Sequence, residues 1–354
     1  MMDINEEKLH EFVGKMLGDL GGAMSAPTVR LGKSLGLWKA MAGSGAMSAA
    51  DLASKAGGID ERYVREWLLA QASNGYVDYH ADDNTFELSP EQAMVFAVED
   101  SPVYMQGAFD VLAAQLEGQA KVEHAFRTGE GVQWGDSAGC LFCAVGSFFR
   151  PTYVNSLVQD WLPALDGVES KLKAGGKVAD VGCGVGFSTL LMAKAFPDSQ
   201  FIGFDFHEPS IEEARKHAKE HGLSDRVRFE TALAKEIGEG NFDLVTCFDC
   251  LHDMGDPAGC ATHVHEMLKP DGTWMVCEPN AADTPAGNMN PVGRLYYNAS
   301  TMICVPTSKA QEVGAALGAQ AGEAKVSEVI KAGGFSQVRR ATEGPFNMIL
   351  EARP

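Results

Sequence analysis

Three glycines at alternate positions, Gly182, Gly184 and Gly186, constrain the fold of this chain more than any other feature of its sequence. They separate the apolar stretch KVADV from the apolar stretch FSTLLMAKAF, which has the length of a helix. Glycine permits backbone conformations that other residues rarely adopt, so this run predicts a tight turn that a ligand can approach closely. The helix after the turn offers N–H groups that have no partner inside the helix. The sequence therefore predicts a small-molecule site at this turn.

The spacing and charge of the turn indicate which small molecule it binds. Dinucleotide-binding turns have the spacing G-x-G-x-x-G, but Phe187 stands where their third glycine would lie. The carboxylate of Asp180, just before the turn, opposes a phosphate and suits an ammonium or sulfonium group. Asp205 ends the next apolar stretch, QFIGFD, where an acid accepts hydrogen bonds from ribose hydroxyls. These features predict a ribose-bearing, phosphate-free cation as cofactor, and S-adenosylmethionine satisfies all of them.

The rest of the C-terminal half alternates strand-like and helix-like stretches, from KVADVG through QFIGFD, RVRFET and FDLVTCFD to GTWMVCE. Such alternation predicts an α/β fold with a mostly parallel sheet wound on both faces. The end of the chain differs, because QVRRAT and FNMILEA are joined by a short turn at residues 343–345. This ending predicts a closing antiparallel hairpin.

The first hundred residues have another pattern, helices followed by a small hairpin. Ser48 and Asp60 are predicted helix N-caps, and YVDYH and TFELSP are predicted strands joined by the polar turn ADDN. Helix, turn, helix and a β wing are typical of a winged-helix domain. We predict a winged-helix-like dimerisation domain over residues 1–101, a helical connector over 102–165, and the α/β domain over 166–354 with an insertion at 280–322.

Charge and composition exclude several classes of partner. The chain has 48 acidic and 29 basic residues, a formal net charge of −19, and no concentrated basic patch. Such a field repels polyanions, so nucleic acid and anionic membranes are not expected partners. The longest apolar run, CLFCAVGSFF, has about half of the roughly 20 residues that a membrane span needs. The N-terminal sequence lacks the order of a signal peptide, and we expect a cytoplasmic protein.

The eight cysteines lack the spacing of a secreted disulfide framework. Two CxxC pairs, Cys140 with Cys143 and Cys247 with Cys250, lie about a hundred residues apart, unlike the ligands of a zinc ribbon. We expect small, buried, mostly reduced thiols and no metal site. A metal or redox role is the alternative.

The stretches VADVGCGVG, FIGFDF and FDLVTCFDCLHDM resemble the first, second and fourth strand motifs of class I S-adenosylmethionine-dependent methyltransferases. The resemblance covers about residues 177–354 and implies a Rossmann-like, seven-stranded, doubly wound sheet with a C-terminal antiparallel hairpin. The whole chain is similar to the two-domain subgroup that has a winged-helix-like N-terminal module, which includes small-molecule O-methyltransferases. The resemblance implies transfer of a methyl group to an oxygen, sulfur or nitrogen nucleophile of a small molecule.

The same resemblance implies roles for individual cofactor-binding residues. The glycine turn and Asp180 would face the methionine part, Asp205 the ribose, and Phe206 the adenine. Phe248 is the last of the predicted cofactor-binding residues. Many members of this family have an acid after the third strand that binds the adenine amino group, but this chain has Ala-Leu-Ala at residues 232–234. No side chain is therefore predicted to bind adenine there.

The acceptor side is predicted to follow the fourth strand, in CLHDMGDP. This stretch is similar to the HDW-S-D segment of plant-type O-methyltransferases, in which the histidine is the general base, although Met254 and Gly255 replace the usual Trp and Ser. His252 is accordingly the predicted catalytic base, with substrate positioning or a structural hydrogen bond as the alternatives. Glu278 would orient the acceptor or the base, or else be a solvated acid at a strand end.

The long insertion near the predicted ligand edge is a candidate substrate wall. Its stretch PVGRLYYNASTMICVP combines aromatic, basic and thioether side chains, which pack in cores more often than they line pockets. The predicted substrate-contacting residues are Glu278, Arg294, Tyr296, Tyr297 and Met302.

Two functional hypotheses follow. The first is the methyltransferase, working mainly by alignment of the reactants in a dry site. The second is a winged-helix transcriptional regulator that senses S-adenosylmethionine. Its candidate recognition helix, ERYVREWLLAQAS, carries only Arg62 and Arg65, each beside a glutamate, which argues against DNA binding. A dimerisation module accounts for the same apolar helices, so we expect a homodimer, with LGKSLGLWKAMA as a suitable face.

Overall fold

The described residues of the computed structural model, 4–137 and 140–354, divide into one unit that ends at Ala113 and another that begins at Ala114. The predicted domain limits stay predictions. The elements that begin in the first unit are α1 Glu6–Ser34, α2 Leu37–Met41, α3 Ala49–Lys55, α4 Glu61–Ser73, β1 Asp78–His80, β2 Thr85–Glu87, α5 Pro90–Phe96 and α6 Gln106–Thr128.

The first unit has the predicted winged-helix pattern. Ser48 and Asp60 cap α3 and α4 as predicted, because their side-chain oxygens accept hydrogen bonds from backbone N–H groups of the first turn. The strands β1 and β2 pair antiparallel as the small wing. The core forms around Trp38, whose ring stacks on Phe96 at 4.4 Å and meets Trp67 edge-on at 4.8 Å.

The long helix α1 carries an apolar face that this unit leaves exposed. At about 100° per residue, its exposed apolar positions between residues 9 and 24 lie within an arc of roughly 140°. In the segment LGKSLGLWKAMA, Leu37, Trp38 and Met41 are buried in the core of their own unit, while Leu31 and Leu35 are exposed, so α1 offers the larger apolar face. The exposed residues of this face, called the α1 face below, are Leu9, Phe12, Val13, Met16, Leu17, Leu20 and Met24.

The second unit contains the predicted alternation of strands and helices. None of the helices in the described ranges is both long and apolar enough to span a membrane. The elements are α7 Leu141–Thr152, a π-helix Tyr153–Trp161, α8 Val168–Lys173, β3 Lys177–Val181, α9 Phe187–Ala195, β4 Gln200–Asp205, α10 Glu208–Glu220, β5 Val227–Thr231, β6 Phe242–Phe248, α11 Pro257–Met267, β7 Leu268–Pro279, α12 Pro291–Ala299, a π-helix Ser300–Cys304, α13 Val305–Lys309, α14 Gly322–Ala332, β8 Gln337–Glu343 and β9 Asn347–Arg353.

The strands form one seven-stranded sheet in the order β5-β4-β3-β6-β7-β9-β8. The pairs from β5 to β7 are parallel, and β9 pairs antiparallel with both β7 and β8. The predicted seven-stranded α/β sheet with a C-terminal antiparallel hairpin is therefore confirmed. The strand order reverses between β3 and β6, and the crevice at the carboxyl ends of such strands is the usual ligand site of open α/β sheets.

Alternate residues of the sheet enter separate apolar cores on its two faces. Val178 and Leu244 pack in one core, while the neighbouring Ala179 and Val245 pack in the other. All four side chains are fully buried, which explains why β3 and β6 have continuous apolar sequences rather than alternating ones.

The CLFC pair differs from its prediction as buried reduced thiols. Cys140 and Cys143 are exposed and form a disulfide at the start of α7. The other six cysteines are free thiols, of which only Cys250 is partly exposed. The apolar run that follows the pair is the amphipathic α7, whose partly buried residues reach the crevice described next.

Candidate functional site

The glycine turn lies at the carboxyl end of β3, beside the point where the strand order reverses. All three glycines have positive φ, between 52° and 82°. A Cβ on Gly182 would lie 2.6 Å from the sulfur of Cys250, and one on Gly186 would lie 2.6 Å from the ring of Phe229. Gly184 has open space around it, so glycine is favoured there only because of the positive φ. Cys250 and Phe229 therefore pack closely against Gly182 and Gly186, while the backbone of the turn is open at Gly184.

Asp205 ties the end of β4 to the turn. Its Oδ2 accepts a hydrogen bond from the N–H of Gly184 at 2.9 Å, and its Oδ1 accepts one from the N–H of His207 at 2.9 Å. Burial raises the pKa of this carboxyl, and these backbone N–H groups oppose the rise. The side chain lines the crevice between the two strand ends.

Asp180 is surrounded by hydroxyl donors, whereas its charge suggested a position facing a cationic ligand. Its Oδ2 accepts hydrogen bonds from the hydroxyls of Ser188 at 2.7 Å and Thr189 at 2.6 Å, and its Oδ1 accepts one from Thr246 at 3.0 Å. Burial raises its pKa to about 6, although the three hydroxyls favour the charged form. The carboxyl is fully buried and does not line the crevice, so it connects β3, β6 and the start of α9 beneath the turn.

The crevice opens into a cavity, called the central cavity below, whose walls are mainly aromatic and whose charged residues are all acidic. Among the residues that the structure describes, no lysine, arginine or histidine lines it. Residues 232–234, after the third strand, contribute only apolar side chains to the wall. The aromatic lining residues are Trp134, Phe142, Phe149, Tyr153, Phe187, Phe204, Phe206 and Phe248, and the acidic ones are Asp205, Asp249 and Asp253.

The predicted cofactor residues Gly182, Gly184, Asp205, Phe206 and Phe248 all line the central cavity. The other two members of that set, Asp180 and Gly186, do not line the cavity. Asp180 contacts its three hydroxyl partners, and Gly186 packs against Phe229.

The predicted base, His252, lies in a short 3₁₀ turn after β6 and is buried. Its Nδ1 lies 2.5 Å from Oε2 of Glu278, and its Nε2 lies 3.2 Å from Oδ1 of Asp253. Burial alone would lower the pKa of His252, but the charges of Glu278 and Asp253 raise it well above the ordinary value. Asp253, rather than the imidazole, reaches the wall of the central cavity.

Glu278 is 1% exposed, so it is a buried partner of the histidine rather than a solvated strand-end acid. Its Oε1 accepts a hydrogen bond from the N–H of Leu251 at 3.1 Å. That bond fixes the carboxylate at the end of β7 and orients the oxygen that faces Nδ1 of His252.

The other predicted substrate residues lie away from the lining of the central cavity within the described ranges. Tyr296 is buried and donates its hydroxyl to the carbonyl of Phe346 at 3.2 Å. Met302 lines a separate small cavity, while Arg294 is exposed and Tyr297 is partly buried. Their contact with substrate stays a prediction.

Two residues of the insertion region that the sequence did not single out reach the central cavity. Thr307 and Gln311 line it, and Nε2 of Gln311 donates a hydrogen bond to the carbonyl of Asp253 at 2.9 Å. Oε1 of Gln311 accepts one from the N–H of Gly255 at 3.0 Å. The insertion therefore braces the loop that carries His252. An isolated polar residue outside any motif gives no sequence signal for this role.

Asp249 is a third residue that sequence analysis missed. It follows β6 directly, lines the central cavity, and has a φ of 49°. Burial and the charge of Glu278 raise its pKa well above the ordinary value. The available signal was an acid at a strand end inside an apolar stretch, FDLVTCFDC, in which the sequence analysis assigned roles to the cysteines and Phe248 but not to Asp249.

One group of side chains in the described ranges has the spacing of metal ligands. Single donor atoms of His252, Asp253 and Cys304 lie within 4.8 Å of one another. Burial raises the pKa of the Cys304 thiol to about 12, so the neutral thiol is a weak ligand. These three side chains lie close together, and the hydrogen bond of the imidazole is to Glu278.

Comparison with known families matches both units. Residues 172–334 match the family described as a methyltransferase domain, and residues 23–97 match the Rv2258c-like winged HTH domain. The chain therefore combines a methyltransferase domain with an N-terminal winged HTH domain, as the sequence motifs predicted.

Among curated proteins, the chain is 35% identical over 130 residues to the ubiquinone biosynthesis O-methyltransferase of Pseudomonas aeruginosa. That match covers 36% of this chain and 52% of the relative, so the chain spans about half the length of the curated relatives it matches.

Among solved structures, the mitomycin 7-O-methyltransferase has a TM-score of 0.66 at 22% identity, covering 99% of both chains. Human N-acetylserotonin methyltransferase in complex with SAM has a TM-score of 0.71 at 16% identity, also covering 99% of both chains. These two similarities establish the fold.

Proposed function

We propose that this protein is an S-adenosylmethionine-dependent methyltransferase that methylates an oxygen, sulfur or nitrogen atom of a small molecule. The central observation is a cavity at the strand reversal that combines the glycine turn and Asp205 with no basic lining residue in the described ranges. Such a cavity suits a ribose-bearing cation and disfavours a phosphate. The match of residues 172–334 to a methyltransferase domain supports the same conclusion.

The cofactor would be held by the residues around the turn. Gly182 and Gly184 provide the open backbone, Asp205 provides a carboxylate for the ribose hydroxyls, and Phe206 and Phe248 provide apolar surface. When bound, S-adenosylmethionine supplies an electrophilic methyl group on a sulfonium. The aromatic walls exclude water from the reacting groups, which favours alignment of the acceptor with that methyl group.

His252 would remove the proton of the acceptor. Glu278 holds Nδ1 of the imidazole, which leaves Nε2 as the nitrogen that can receive a proton. In this structure Nε2 faces Asp253, so the carboxylate must turn toward the cavity before the acceptor reaches the imidazole. The Asp253 side chain is 21% exposed and that of Glu278 only 2%, so Asp253 is the partner of the imidazole that would have to turn.

The regulator hypothesis has weaker support than the enzyme. The two arginines of α4 are paired along their own helix, Arg62 with Glu66 at 2.6 Å and Arg65 with Glu61 at 2.5 Å. A recognition helix needs basic side chains that are free to contact phosphates and bases. The winged HTH domain of this acidic chain is therefore better suited to protein–protein contacts than to DNA binding.

A homodimer formed through the α1 face is part of the proposal, and so is a cytoplasmic location. Phe12 is 60%, Leu17 66% and Met24 70% exposed in the single chain. Contiguous apolar surface of this kind is typical of protein interfaces. A second copy of the chain supplies the same helix, and two such faces pack in the manner of other amphipathic helix pairs.

The proposed activity is tested by equilibrium binding and by turnover. Calorimetry should detect binding of S-adenosylmethionine and of S-adenosylhomocysteine, and no binding of NAD. Formation of S-adenosylhomocysteine in the presence of small aromatic hydroxyl, thiol or amine compounds should then identify an acceptor. Tight binding of NAD without binding of either sulfur compound would refute the proposal.

A further inference from the structure

Asp249 has the features of a ligand-recognising group. It lies at the carboxyl end of β6 and lines the central cavity. Its φ of 49° is uncommon for a residue with a side chain, although aspartate tolerates it better than most. Unusual backbone conformations of this kind occur most often at functional sites.

Neighbouring strands hold the Asp249 carboxyl in one orientation. Nδ2 of Asn347, at the start of β9, donates a hydrogen bond to Oδ1 of Asp249 at 2.7 Å. The N–H of Asp249 donates to the carbonyl of Cys277 at 2.8 Å, and the Cys277 thiol lies 3.8 Å from Oδ2. Oδ2 therefore has only a weak thiol contact, which leaves capacity to accept a hydrogen bond.

Asn347 adds an independent observation. The residue is 1% exposed, and its Oδ1 has no hydrogen-bond partner. A buried carbonyl oxygen without a partner is costly and needs an explanation in a folded protein. Asn347 does not itself line the central cavity, so Asp249 is the member of this pair that a hydrogen-bond donor in the cavity can reach.

The electrostatics of the central cavity restrict the charge of that ligand. Asp249 and Asp253 line the cavity, Glu278 lies close behind, and no basic residue in the described ranges lines it. Burial and the negative charge of Glu278 raise the pKa of Asp249. The same two factors oppose the binding of an anion. A cation or an uncharged donor meets no such opposition.

We infer that Asp249, oriented by Asn347, recognises the methyl acceptor, and that the acceptor is an uncharged or cationic aromatic compound with a hydrogen-bond donor. This inference rests on the proposed methyltransferase function. The aromatic walls supply stacking surface and cation–π contacts for such a compound. Aromatic carboxylates are disfavoured. Asp249 is a specificity-determining residue in this arrangement, and His252 remains the proposed base.

The test uses three probes that share one ring and differ in charge: dopamine, catechol and 3,4-dihydroxybenzoate. Binding of each to the full chain saturated with S-adenosylhomocysteine is measured by calorimetry at pH 7. The wild type should bind dopamine at least about tenfold more tightly than 3,4-dihydroxybenzoate, with catechol between them, as expected for one charge-assisted hydrogen bond. Asp249→Asn should remove most of that preference and leave the affinity for catechol within about threefold.

Asparagine suits this substitution because it tolerates a positive φ and can still accept the Asn347 hydrogen bond. Asp225→Asn, on an exposed loop, is the matched control with the same change in net charge, and it should bind all three probes like the wild type. If Asp249→Asn does not fold, Asn347→Ala provides the second test. It removes the hydrogen bond that orients Asp249 and should reduce the preference for dopamine in the same direction.

Binding of S-adenosylhomocysteine separates failure of the inference from failure of the proposed function. A protein that binds S-adenosylhomocysteine but favours 3,4-dihydroxybenzoate, binds the three probes equally or binds none at millimolar concentration would overturn the role of Asp249 alone. An unchanged dopamine preference in Asp249→Asn would do the same. Loss of S-adenosylhomocysteine binding in the wild type would instead refute the methyltransferase proposal.

Discussion

Nδ1 of His252 lies 2.5 Å from Oε2 of Glu278, and the two side chains are almost completely buried. A carboxylate in this position holds the Nδ1 proton and fixes the tautomer in which Nε2 can accept another proton. The hydrogen bond from the N–H of Leu251 keeps the carboxylate in place. The pair therefore has the geometry of a base and its orienting acid, provided that Nε2 is freed from Asp253.

Glu278→Gln should lower turnover by about 10²–10⁴-fold while cofactor affinity changes little. The glutamine amide can donate a hydrogen bond to Nδ1, which forces a neutral imidazole to keep its proton on Nε2. That tautomer cannot accept a proton from the acceptor. Steady-state turnover and calorimetric binding of S-adenosylmethionine measure the two effects separately.

The control for this variant is Glu236→Gln, an exposed glutamate on a loop of the same unit. It should retain wild-type turnover. Near-normal turnover of Glu278→Gln would mean that the Glu278–His252 contact serves the fold and not proton transfer.

His252→Ala should also reduce turnover by about 10²–10⁴-fold and leave cofactor binding unchanged. A base acts only when it is deprotonated, so the wild-type rate should rise with pH through the pKa of His252. Because Glu278 and Asp253 raise that pKa well above its ordinary value, the rise should fall above pH 6.5. The variant should lose this rise, which a pH–rate profile measures directly.

Substitution of the exposed His221 by alanine is the matched control and should preserve the profile. If His252→Ala keeps the same profile, the ionisation that limits the rate belongs to another group. The acceptor would then react as an anion formed in solution.

The sequence predicted the sheet, its hairpin and the position of the glycine turn because these follow from local patterns. The apolar runs of β3 and β6 and the glycines between β3 and α9 are contiguous in the chain. The position of Asp205 at a strand end could be predicted for the same reason, since it ends a strand one βα unit later. Each of these signals needs only neighbouring residues and the rule that ligands bind at carboxyl ends of parallel strands.

The environments of Asp180 and Asp249 depend on contacts between distant parts of the chain. Asp180 accepts hydrogen bonds from hydroxyls of α9 and β6, and Asp249 is oriented by Asn347, 98 residues away. A strand-end acid has the same sequence signal whether its oxygens are satisfied or free. Only the tertiary structure distinguishes the supporting carboxylate from the one that lines the cavity.

Asp205→Ala should weaken binding of S-adenosylmethionine by about 1–3 kcal/mol, the value of charge-assisted hydrogen bonds. The variant also loses the contact with the N–H of Gly184, which helps to hold the turn. Asp198→Ala, an exposed acid just before β4, is the control and should bind normally. Calorimetry with both variants measures the difference, and equal affinities would exclude Asp205 from the cofactor site.

Asp180→Asn should change the pH dependence of stability. The pKa of Asp180 is raised from 3.8 to about 6 in the folded state, so its neutral form stabilises the fold fully below pH 3.8 and this contribution is lost as pH rises through 6. Between pH 4 and 7 the free energy of unfolding of the wild type should fall by about 2 kcal/mol relative to Asp180→Asn. Urea unfolding at several pH values measures this. A constant difference would show that folding does not raise the pKa of Asp180.

The last prediction concerns the α1 face. Phe12 and Leu20 lie about 80° apart around the axis of α1, both within the α1 face, and are 60% and 55% exposed, so each would be buried by a facing copy of the helix. Burying a large apolar side chain contributes about 1.5–3 kcal/mol, and a lysine at the centre of such an interface also has to lose its hydration. The double variant Phe12→Lys and Leu20→Lys should therefore convert a dimer into a monomer at tens of micromolar.

Light scattering after gel filtration measures the mass of each variant. Tyr63→Lys provides the control, because Tyr63 is 81% exposed on α4 and outside the α1 face. It should leave the mass at twice that of the chain. A wild-type monomer at tens of micromolar would rule out the dimer, whereas a dimer that survives both α1 substitutions would assign the interface to another surface. In the dimer, the α1 face should also be protected from hydrogen exchange relative to the double variant, because pairing slows local opening of the helix.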